Sequence, residues 1–133
     1  MAHARREREL AVHIGNQPGA LAKLLALVAD AGVNVLAYCT YSERHEGVVQ
    51  LVTANALRAK LALEAGGFRC RMNDVVLVHA PDQVGAVAMI GARLGGAGVS
   101  ILYSYASSTG TQFHAVFKTS DDATAVRVLG DGG

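Results

Sequence analysis

The chain has 133 residues, 51% hydrophobic and 17% charged, with 12 basic and 11 acidic side chains giving a formal net charge of +1. Such a composition supports a packed globule and excludes a disordered chain, and no Lys/Arg cluster is large enough to track a phosphate backbone, so nucleic acid is not an expected partner. No apolar run reaches membrane-spanning length and the N-terminus lacks a signal-peptide core, so a cytoplasmic protein off the membrane is expected.

In chain order, Arg5-Arg6-Glu7-Arg8-Glu9 mixes both signs and reads as a solvated N-terminal arm. Leu10, Val12 and Ile14 then alternate with Ala11 and His13, the period of a half-buried strand that stops at Gly15-Asn16. Pro18 suits the first turn of a helix, with its cap region at Asn16 or Gln17. That helix carries Leu21, Leu24, Leu25 and Val28 and stops at Ala31-Gly32, where glycine supplies a left-handed turn. Residues 33–40 alternate as a second strand, 42–47 form a polar hairpin, and 48–53 return antiparallel. Leu57 and Leu61 mark a second helix ending at Gly66-Gly67, residues 68–72 a closing strand, and Asn73-Asp74 a turn. Residues 75–79 open a second series: a helix over 83–95, strands over 99–107 and 112–119, and a last helix capped by Asp121. The chain then ends at Gly130-Asp131-Gly132-Gly133, leaving no sequence for a final strand.

The two series are copies. At an offset of 66 residues, Val12, His13, Gln17, Gly19, Ala20, Ala22, Ala26, Ala31, Gly32, Val33 and Leu36 all recur within 78–102. Chance would supply roughly two or three such matches. Each copy reads as βαββαβ, an α+β ferredoxin-like unit with an antiparallel sheet and helices on one face. The first unit spans 8–73 and the second 75–130, the second lacking its last strand. An uncovered sheet edge is a liability, so a strand from the other unit or from a second chain is expected beside it. The sheet face carrying Leu36 and Leu102 is expected to pack against another layer.

Gly19 and Gly85 are the sharpest shared signal, each at a strand-to-helix junction where free backbone N–H groups and the helix dipole favour a carboxylate or phosphate. Close helix–strand packing explains them equally well. No P-loop is present, because the glycine-rich run at 91–96 lies inside and at the end of a helix. His13 and His79 repeat with the fold and read as structural, while His3, His45 and His114 are scattered. Tyr38, Tyr41, Tyr103 and Tyr105 fall on corresponding strands, where packing accounts for them first and ligand contact second. Cys39 and Cys70 have no CxxC spacing and read as reduced thiols, and neither a metal nor another cofactor is signalled. No nucleophile motif or carboxylate pair gives catalysis an owner, so the chain is not expected to be an enzyme.

The loop Asn16-Gln17-Pro18-Gly19-Ala20-Leu21, followed after the helix by Ala31-Gly32-Val33-Asn34-Val35, resembles the ACT domain, a regulatory module of amino-acid metabolism. The second copy departs from that pattern at Asp82-Gln83-Val84-Gly85-Ala86-Val87, which keeps the glycine but replaces Asn with Asp and Pro with Val. Together the copies look like a stand-alone tandem ACT protein. The resemblance implies units that pair side by side, with small ligands, usually amino acids, held between the loop of one unit and the second strand of its neighbour. Carried over by position, the site is Asn16, Gln17, Pro18, Gly19, Ala20 and Leu21, facing a strand that starts at Asn34 or Ser100. Asp82, Gln83, Val84, Gly85 and Ala86 form the altered second loop. There Asp82 is suited to an ammonium group and equally suited to repel a carboxylate, so the two sites differ.

The implied function is an amino-acid-binding regulatory or sensor protein, working as a homodimer or higher homo-oligomer. The alternative is a regulatory subunit or interaction module of a separate amino-acid-metabolism enzyme, kept mainly for assembly; the regulatory subunits of acetolactate synthase carry a similar Asn-x-Pro-Gly loop.

Overall fold

A computed structural model of the chain describes residues 2–130, and the tail over 131–133 lies outside the described residues. The elements in order are β1 (His3–Gly15), α1 (Ala20–Asp30), β2 (Val35–Glu43), β3 (Glu46–Thr53), α2 (Ala56–Ala65), β4 (Cys70–Pro81), α3 (Ala86–Gly96), β5 (Ile101–Ser108), β6 (Gln112–Thr119) and α4 (Asp122–Leu129). They form two compact units, one of Arg8–Asn73 and one of Met1–Glu7 together with Asp74–Gly133.

In the first unit the strand order is β2-β3-β1-β4, with β3 antiparallel to both β1 and β2. Leu10, Val12 and Ile14 of β1 and Val49 and Leu51 of β3 face the helices, meeting Leu24 and Val28 of α1 and Ala59 and Leu63 of α2. The two helical pairs are four residues apart, the spacing that puts side chains on one stripe. Fully burying one such leucine stabilises the fold by about 1.5–3 kcal/mol. The second unit repeats this arrangement 66 residues on, in the order β1-β4-β6-β5, with Ile90, Leu94, Ala125 and Leu129 packed on Val76, Val78, Phe113, Ala115 and Phe117. Even the irregularity near the start of β2, between Val35 and Ala37, recurs in β5 between Ile101 and Tyr103.

The missing final strand of the second unit comes from the start of the same chain. Residues 2–7 belong to that unit, and Ala2 and Ala4 pack against its core. The run expected as a solvated arm is therefore strand, and Glu9 within it is fully buried and accepts a hydrogen bond from Asn73 at 3.4 Å. Asn73-Asp74 is likewise not a turn. Both residues lie inside β4, which runs unbroken from Cys70 to Pro81 and so supplies the last strand of the first unit and the first strand of the second without reversing.

Two helix starts differ from expectation. The cap of α1 is Gly19 rather than Asn16 or Gln17, and α3 begins at Ala86 rather than at 83, capped by Gly85. Both glycines are left-handed, at φ 86 and 88, with no side-chain cap hydrogen bond. Leu36 and Leu102, expected to be covered, are 42% and 62% exposed within the chain, whereas Val48 and Val52 on the inner strand β3 are buried.

Candidate functional site

In the first unit the loop between β1 and α1 is held by its own backbone. The Gln17 amide donates to the Gly15 carbonyl at 2.9 Å, and the Ala20 amide donates to the Gln17 carbonyl at 3.2 Å. The first helical hydrogen bond joins the Lys23 amide to the Gly19 carbonyl at 3.0 Å. Helix geometry consequently leaves the amides of Leu21 and Ala22 without an acceptor inside α1, at the end where the macrodipole is positive. Leu21 borders a cleft of 260 Å³, lined also by Asn16, Gln17 and Gly19 from the loop and by Thr40, Tyr41 and Ser42 from β2. No basic side chain lines it, so the donors it offers are backbone N–H groups and the carboxamide and hydroxyl groups of Asn16, Gln17, Thr40, Tyr41 and Ser42.

Asn34 is not brought to this cleft. It precedes β2, six residues before Thr40, which is about 20 Å along an extended strand, and its carbonyl accepts the Ala54 amide at 2.9 Å. Ser100 holds the matching position before β5, where its amide donates to the Ser120 hydroxyl and its carbonyl accepts the Ser120 amide, both at 2.9 Å.

The second loop has the same backbone but different chemistry. The Ala86 amide donates to the Gln83 carbonyl at 3.0 Å and the Met89 amide to the Gly85 carbonyl at 2.9 Å, reproducing the first loop. Asp82, however, accepts a short hydrogen bond from the Ser108 hydroxyl, which itself accepts the Gly110 amide at 2.9 Å. The Asp82 amide donates to the Thr111 carbonyl at 3.0 Å. A carboxylate in place of Asn16 is thus tied to the turn between β5 and β6, while Val84, in place of Pro18, is fully exposed.

The histidines read as scattered are partly gathered. His3 on β1 and His114 on β6 flank His79 on β4, with ring centroids 5.4 and 5.9 Å from it, and His79 is the register partner of His114. Burial, then the charges of His3, His114 and Arg5, lower the His79 pKa below its ordinary value. Sequence spacing could not show this cluster, because it depends on which strands become neighbours. His13, its counterpart in the first unit, lies 3.1 Å from the Glu46 carboxylate instead. Among the described residues no group of three or more His, Cys, Asp or Glu is placed to hold a metal ion. Both cysteines are free and half-buried, and burial, followed by the charge of Glu64, raises the Cys70 pKa. No helix among the described residues is long and apolar enough to cross a membrane.

A family profile described as an ACT domain pair matches residues 6–130. The chain belongs to that family. No curated protein matches the sequence of this ACT domain pair. Among solved structures it is similar to a protein from Bacteroides thetaiotaomicron, at 25% identity and a TM-score of 0.87 over 95% of this chain and 88% of that one. It is also similar in fold to the regulatory subunit of aspartate kinase from Thermus thermophilus in its ligand-free form, at 16% identity and a TM-score of 0.75 over 92% and 90% of the two chains. The corresponding subunit from Thermus flavus gives 16% identity and a TM-score of 0.65 over 96% and 94%.

Proposed function

We propose that this ACT domain pair is a non-enzymatic regulatory protein that binds a free amino acid at the first-unit loop, Asn16 to Leu21. The observation that supports this most is the left-handed Gly19 opening α1 into a cleft whose acceptor-free amides suit an α-carboxylate. The amino group is then held by Asn16 and by carbonyls of a neighbouring ACT unit's strand, beginning at Asn34 or Ser100. A neighbour is needed because neither strand start reaches the loop of its own unit. A homodimer in the cytoplasm is the simplest assembly that supplies one. Regulation requires that the ligand bind two states of the assembly unequally, since equal binding shifts nothing.

A thermal-shift screen with the twenty amino acids tests the reading. A true ligand at a hundredfold excess over Kd adds about 2.7 kcal/mol. For a chain of this length that raises Tm by on the order of ten degrees. Gly19→Val should abolish the shift, whereas a folded protein indifferent to the whole panel at millimolar concentration sinks the proposal.

A second reading is supported by Asp82, whose carboxylate is engaged by Ser108 at the end of β5, and by the exposed apolar edge residues Leu36, Tyr38, Ile101 and Leu102. On this reading the pair is a regulatory subunit of a separate amino-acid-metabolism enzyme and serves assembly. Stoichiometric capture of such an enzyme from native lysate, with no amino-acid response, favours it.

A further inference from the structure

Aligning the units at their 66-residue period pairs every position lining one apolar cleft of the second unit with a residue of the first. In the first unit Phe68, just before β4, packs against the core, and the Lys23 ammonium lies 5.6 Å from its ring centroid. The counterpart of Phe68 is Ala2, just before β1 and packed against the second core. The counterpart of the buried Ile14 is Ala80, and that of Leu27 is Arg93. Two large apolar side chains have become methyl groups and a third has become a guanidinium chain. Around them Ile90 and Leu129 stay buried where Leu24 and Leu63 are buried in the first unit, while Met89 and Pro81 stand where that unit has Lys23 and Gly15.

The result is a cleft of 220 Å³ with Ala2, Ala80, Ile90 and Leu129 inside and Arg93 and Gln83 among its polar lining. Large-to-small replacement in a core leaves space when the walls cannot collapse, and apolar space of that kind accepts apolar small molecules. The volume corresponds to about seven waters, room for one ring or branched chain with a short acidic tail. We propose that the cleft binds a small carboxylic acid bearing an aromatic or branched apolar group. The apolar group takes the place that the Phe68 ring fills in the first unit. The carboxylate meets Arg93, whose five N–H donors allow it to serve more than one partner. This site is independent of the Gly19 loop and stands or falls separately from it.

Phenylacetate titrated into the folded protein, followed by two-dimensional amide NMR, is the direct test. Shifts should centre on Ala2, Ala80, Ala86 and Arg93, with a Kd of about millimolar for a ligand of ten heavy atoms. Ala2→Phe, which restores the Phe68 arrangement, should weaken binding at least about tenfold while Tm holds or rises. Arg93→Leu, an exposed position, should weaken phenylacetate by about tenfold and leave benzylamine unaffected. Tighter binding of L-phenylalanine than of phenylacetate identifies a free amino acid as the source of the acid, and the reverse order a deaminated one. Absence of binding, shifts confined to residues 15–21, benzylamine binding as tightly as phenylacetate, or unchanged affinity in both variants overturns the proposal.

Discussion

Gly85→Ala and Gly91→Ala make the same chemical change six residues apart at one helix, and they should move stability in opposite directions. At Gly85 the backbone is left-handed, with φ +88, and an added Cβ meets nothing within 4 Å. The cost is therefore backbone strain alone, about 1–2 kcal/mol for an L-residue held in that conformation. Gly91 is exposed within α3, and a Cβ there also meets nothing within 4 Å. Alanine at an open helical position gains about 1 kcal/mol over glycine. The two variants should thus differ by about 2–3 kcal/mol, or on the order of ten degrees in Tm. Urea unfolding at 25 °C is the assay, with an unchanged m-value showing that the denatured state is the same. Shifts of the same sign, or a neutral Gly85→Ala, would refute the view that this glycine is kept for its backbone geometry.

Acid should weaken the protein through His79, and deleting residues 1–7 should weaken one unit. The folded-state pKa of His79 lies below its ordinary 6.5, so the unfolded chain takes up that proton first and stability falls as pH drops through about 6.5. His79→Gln should flatten the curve of unfolding free energy against pH between about 7.5 and 5.5, and an unaltered slope would discount the cluster with His3 and His114. Removing residues 1–7 takes a strand and the core contact of Ala4 from the second unit, so hydrogen exchange should quicken in β6 while β3 keeps its protection. Equal protection in both strands before and after deletion would show that the segment is not needed there.

The 66-residue repeat, the period-2 and i, i+4 patterns, and the glycines at helix ends carried most of the fold because each is a local property. Leu24 and Val28, or Ala125 and Leu129, share a stripe wherever the helix lies. The loop at Asn16 to Leu21 was legible for the same reason, since its geometry is set by Gly19 and neighbouring carbonyls. Its cap is less legible, because Asn16 and Gln17 have side chains suited to capping while the backbone uses the left-handed Gly19 instead.

What the sequence determined by itself is the duplicated unit and the difference between its two loops, one with Asn16 and Pro18, the other with Asp82 and Val84. What only the tertiary structure decided is where the ends of the strands go. Arg5 to Glu9 looks solvated and Asn73-Asp74 looks like a turn because charge and turn chemistry describe a segment in water. Both instead lie in long strands, since residues 3–7 complete the sheet of the second unit. The same exchange sets Ala2 where the first unit has Phe68 and His3 beside His79. Strand pairing is non-local, made by hydrogen bonds and burial across about 70 residues of intervening chain, and no window of sequence contains it.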